Sequence, residues 1–186
     1  MLDLESQQRV SECGKALALA SVKAMSIGGT VNLPNLVTGC ARMSGSYLLR
    51  SLKLDLSRAA PGQAVLSAQA SSGNPRLIRY CASILQSLGT VIGSGPSGSL
   101  DEQRRKLTQD FLEAQRLLEP LYQPIQTQHA LNDEQMSKAT ALAAAILIHQ
   151  FAKHVDPSVG FGYAALGIAE GSQTAPMSFG SRANPV

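Results

Sequence analysis

The chain has no tryptophan, only 4% aromatic residues, and three cysteines in 186 positions. Each scarcity excludes something. With so few large rings the core must be filled by Leu, Ile, Val, Ala and Met, and small side chains imply helices that approach one another closely. Cys13, Cys40 and Cys81 are odd in number, lie in apolar helical patterns and form no C-x-x-C pair, so buried reduced thiols are expected rather than a disulfide framework. That fits a reducing compartment. Charged residues make up only 16% of the chain, yet 44% hydrophobic content removes any signature of disorder. Long apolar runs are missing too. The longest, Ala141 to Ile148, falls well short of the ~20 residues that span a bilayer, and the opening MLDLESQQ carries Asp3 and Glu5 with no apolar signal core behind it. We therefore expect a cytoplasmic protein with no membrane span.

What the chain does have is helical periodicity. Val10, Cys13, Leu17, Ala20 and Ala24 recur at helical spacing until Gly28-Gly29 stops them. A second helix is predicted from about Pro34 to Lys53, apolar over a wide face. Its middle carries Gly39, Ser44, Gly45 and Ser46, and each interior glycine costs about 1 kcal/mol against alanine. That cost predicts a neighbouring backbone crossing there. Gln63 to Ser71 reads as a short helix or a strand. Asn74-Pro75 then predicts a cap followed by a first-turn proline, opening a helix with Leu77, Cys81, Ile84 and Leu88 on one stripe.

Ser99-Leu100-Asp101-Glu102 has the capping-box pattern and predicts a long amphipathic helix buried through Leu107, Phe111, Ala114, Leu118 and Leu121. Pro120 and Pro124 should kink or break it. Asn132 and Gln135 predict a second capping box, starting a helix from Asp133 to about Lys153 that is apolar on all sides at ALAAAILI. Asp156-Pro157 restarts the chain in a short or irregular glycine-rich helix. The expected fold is all-α, a single-domain bundle of about six or seven helices over residues 1–171, with the 133–153 helix buried at its centre. Residues 89–99 read as a flexible Gly/Ser linker, and 172–186 as a weakly ordered tail or an arm lying on another surface.

By letters, Val91 to Gly98 (VIGSGPSG) resembles the G-x-G-x-x-G loop of Rossmann flavin- and nicotinamide-binding proteins. The context opposes it. That loop works where a buried strand delivers the glycines to a helix N-terminus, and here only Thr90-Val91-Ile92 remains to make a strand. Asp101 and Glu102 would also repel a phosphate. No cofactor is expected.

Charge divides unevenly, nine Lys/Arg against four Asp/Glu in residues 1–99 and seven against nine thereafter. Arg42, Arg50, Lys53, Arg58, Arg76 and Arg79 face only Asp55 within Arg42 to Arg79. Asn74, Arg76 and Arg79, with Arg42 or Arg50, are thus the candidate anion or partner site, weighed against a solvated basic face or one paired with the acidic 101–119 stretch of the same molecule. Nucleic acid is not the expected partner, since aromatic interleaving and a recognised motif are both missing. His149 and His154 sit about 140° apart round a helix and cannot chelate one metal from one face. No metal or catalytic constellation is named. Phe161, Tyr163, Leu166 and Ile168, spaced by glycines, are the candidate self-association interface. The expected function is a non-enzymatic interaction protein, adaptor or chaperone-like, self-associating as a homo-oligomer. The alternative is a small-molecule or anion-binding protein, an enzyme included, using Arg42 to Arg79.

Overall fold

A computed structural model describes residues 3–93 and 100–177. Among them are seven helices: α1 (Leu4–Met25), α2 (Leu33–Ser51), α3 (Ala68–Ser87), α4 (Leu100–Arg105), α5 (Phe111–Gln128), α6 (Asp133–Gln150) and α7 (Pro157–Ser172). A two-stranded hairpin, β1 (Ser26–Ile27) and β2 (Thr30–Val31), joins α1 to α2. Gly28 and Gly29, both at positive φ, form its turn, as a right-twisted two-residue hairpin requires. The fold is an all-α bundle. No helix among the described residues is long and apolar enough to cross a membrane.

The 133–153 expectation holds, ending three residues earlier at Gln150. Asn132 caps α6 and exchanges hydrogen bonds with Gln135, the reciprocal pattern of a capping box. From Met136 to Ile148 nearly every residue is buried, because α1, α2, α3 and α7 all pack on α6. A helix surrounded in this way can be apolar on all sides.

The small-residue stretch of α2 meets a crossing backbone, and the partner is α7. A Cβ on Gly45 would sit 2.6 Å from the Ser172 amide nitrogen and against the Ile168 carbonyl oxygen.

 The Gly45 position therefore abuts the backbone of Ile168 to Ser172 directly. Gly167 answers it from the other helix, where a Cβ would lie 2.6 Å from the Thr38 carbonyl oxygen, and Gly171 is pressed against the carbonyl of Arg42. Gly167 and Gly171 serve this crossing, and α7 is regular over Pro157–Ser172, not short or irregular as its composition suggests.

Three further expectations are corrected. Asn74-Pro75 does not open a helix; Ser67 caps α3, and Pro75 lies inside it. Pro120 and Pro124 likewise lie within an unbroken α5. In each case the proline leaves a carbonyl four residues back without its helical partner, and those residues, Ser71, Arg116 and Pro120, are all exposed, so water can take the bond. The long helix expected from Ser99 is two helices. Asp110 and Glu113 form a capping box that starts α5 afresh, which turns Tyr122 inward and leaves Leu121 partly exposed. Ser99 itself, with residues 94–98 of the expected linker, lies outside the described residues. Gln63 to Ser71, read as a short helix or a strand, is divided: Gln63 to Ser67 is extended, with the segment just after α7 antiparallel to it, and Ala68 to Ser71 open α3. Val65 N–H donates to the Gln173 carbonyl at 2.7 Å and Ala175 N–H to the Gln63 carbonyl at 2.8 Å. Residues 173–177 thus lie on the segment before α3 and on Gln115 of the same chain, while 178–186 fall outside the described residues.

Candidate functional site

The basic candidates separate into two groups. Arg42 is buried between α2 and α7, where its Nε donates to Glu170 at 2.8 Å and its Nη1 to the Gln109 carbonyl at 2.8 Å. Arg50 grips Glu119 with both terminal nitrogens, Nη2 donating to Oε2 at 2.7 Å, and stacks over the Tyr47 ring at 5.2 Å. Burial opposes the Arg50 charge, but the hydrogen bonds and field of Glu119 outweigh it and raise its pKa. Gln115 completes the cluster, donating to Glu119 Oε2 at 2.8 Å and accepting from the Met177 N–H at 2.8 Å. Both arginines are therefore occupied by carboxylates of the same molecule, Arg50 by the acidic 101–119 stretch itself.

Arg76 and Arg79 are exposed on α3, but in its interior rather than its first turns, so the helix terminus that favoured an anion there is absent. Arg79 Nε donates to the Pro75 carbonyl at 3.2 Å. Asn74 is buried on the opposite, core side of α3, and its Oδ1 has no hydrogen-bond partner among the described residues. The five candidates do not converge on one site.

The candidate interface is also redistributed. Tyr163, Leu166 and Ile168 are buried within this one chain and Phe161 is partly buried against the core. Glycine spacing had suggested an irregular, exposed patch. Because Gly167 and Gly171 allow α7 to lie directly on α2, the apolar residues around them are spent inside the fold.

What remains open is a groove along α3. This helix packs on α6 and α7 and leaves a channel toward α1 and the end of α2. One stretch, of about 670 Å³, is lined by Leu48 and Leu52 of and beyond α2, by Gln69, Ser72, Arg76 and Leu77 of α3, and by Glu134 and Ser137 of α6. A second, of about 430 Å³, lies between Val10 and Ser11 of α1 and Ile84 of α3, floored by Leu142. Tyr80 and Lys138 line both, so the two lie side by side along α3. The floor is apolar and the rim polar. Lys138 Nζ meets Glu134 at 2.8 Å, whereas Arg76 has no ion pair among the described residues. The sequence did carry a signal for this surface: Tyr80 and Ile84 fall one turn apart, beside the buried Leu77, Cys81 and Leu85. That widens the apolar face beyond what α6 and α7 cover.

The cysteines are poor nucleophiles. Burial pushes the Cys13 and Cys81 thiols up to about 12, and it raises Cys40 despite opposing hydrogen bonds from Ser21 and Tyr122. We expect no reaction with Ellman's reagent in the native protein and three thiols after unfolding. An unfolded thiol titrates near 8.5, so each raised native pKa contributes stability that is intact below that value and lost as pH rises toward 12. Urea midpoints measured from pH 8 to 11 should fall accordingly. Among the described residues no three His, Cys, Asp or Glu side chains gather as a metal cluster. His149 Nδ1 instead shares a hydrogen bond of 2.8 Å with the Thr90 hydroxyl.

Comparison of the chain with protein-family models, curated proteins and solved structures finds no match.

Proposed function

We propose that the protein is a non-enzymatic, cytoplasmic interaction module, adaptor or chaperone-like, that receives a segment of another protein in the groove along α3. One observation carries the reading: the two adjoining hollows along α3, from Leu52 to Ile84, with an apolar floor and a polar rim. Such anatomy, apolar at the centre and polar at the edge, is that of an interface. The alternative, an anion site across Arg42 to Arg79, would need arginines free to meet a ligand, and Glu170 and Glu119 already hold two of them. Self-association through Phe161, Tyr163, Leu166 and Ile168 has no support from residues that one subunit buries itself.

A photo-cross-linking amino acid at Ser72, an exposed groove position, tests the reading in the protein's own host. Discrete protein adducts from Ser72, absent when the same group replaces the exposed Lys23 of α1, are the expected result. Identical adducts from both positions, or none from Ser72, would sink it.

A further inference from the structure

The groove has features that select among partners. Its α3 wall from Gln69 to Ile84 is roughly 22 Å long at 1.5 Å per residue, enough for about four turns of a second helix. All its walls are helical, apart from Leu52 at the end of α2, and helices keep their backbone groups to themselves. An extended peptide laid there would find no strand edge to pair with, and over an apolar floor its own N–H and C=O groups would lack partners. A helix brings them already satisfied, which makes helix-in-groove docking the mode that fits.

Charge adds a second selection. Arg76 lines the groove without an ion pair among the described residues, and Arg79 stands exposed within one turn of it. Lys138 is held by Glu134 in an exposed i,i+4 contact of the kind that a better placed carboxylate can displace. Glu134 is the one acid that lines the channel in either stretch, so the balance at the rim is positive. We infer that the occupant is an amphipathic helix of a partner protein, with its apolar stripe on the half-buried Leu48, Leu52, Tyr80 and Ile84 and carboxylates on its flank facing Arg76 and Lys138. The inference rests on the groove being the binding surface.

A display library of peptides about 16 residues long, with a fixed Leu/Ile stripe at helical spacing and randomised flanks, should be panned against the full chain. Asp and Glu should be enriched over Lys and Arg by about tenfold or more at flank positions. The Arg76→Glu/Lys138→Gln variant, which alters only exposed and half-exposed side chains, should invert that preference. Ser72→Trp should abolish enrichment by filling the channel. Enrichment that Ser72→Trp removes but that shows no acidic preference overturns the inference and leaves the groove reading standing. No enrichment, or enrichment indifferent to Ser72→Trp, overturns both. Light scattering supplies a further arm: a dimer that Ser72→Trp converts to a monomer would put a second copy in the groove, against the inference.

Discussion

Gly45→Ala should destabilise the fold by about 3 kcal/mol, the upper end of what overpacking a core costs. The added methyl would meet the Ile168 carbonyl and the Ser172 amide, which are backbone atoms of α7 and cannot rotate away as a side chain would. The whole of α7 would have to lift from α2, separating Gly167 from Thr38 and Gly171 from Arg42 as well. Gly39→Ala provides the control six residues earlier on α2. There the nearest neighbours, Leu118 Cδ1 and the Met25 thioether, would stand at 3.5 Å, ordinary contact, so the gain in helix propensity of up to about 1 kcal/mol should leave that variant neutral or stabilised. Urea denaturation of the pair reads the difference, and equal losses at the two positions would refute the crossing.

Arg50→Met should cost about 3–5 kcal/mol, the usual consequence of leaving a buried charge without its partner. Glu119 is 1% exposed, and Arg50 supplies both of its charge-assisted hydrogen bonds, with only Gln115 left to compensate. Arg50→Lys should recover little, since an ammonium cannot reproduce the two-pronged contact or the stacking on Tyr47. The double variant Arg50→Met/Glu119→Leu should recover a substantial part, because it removes the stranded carboxylate together with its partner. A double variant no more stable than Arg50→Met would contradict this account of the cluster.

The fold was legible where local chemistry decided it. Asn132 and Gln135 marked the start of α6, the ALAAAILI run marked its burial, and Gly45 marked a backbone crossing. The sequence misled where solvent decided instead. Pro75, Pro120 and Pro124 break a helix only if the carbonyls they strand cannot reach water, and a linear sequence does not show that Ser71, Arg116 and Pro120 are exposed. The same limit governed the site. Arg42 and Glu170 are 128 residues apart, and Arg50 and Glu119 are 69 apart, so a basic cluster in sequence could not reveal its pairing in space. Nor could the glycines of α7 reveal which helix they fit. The groove depends on what α3 leaves uncovered, a property of the packed bundle, although Tyr80 and Ile84 hinted at it.

Amide chemical-shift mapping of the full chain with a peptide selected from the library tests the groove most directly. The account predicts changes concentrated at Gln7 to Ser11, Gln69 to Ile84 and Glu134 to Leu142, with the α2–α7 crossing around Gly45 and Gly167 unmoved. Changes centred on the outer face of α5, or on α7, with α3 silent, would contradict it.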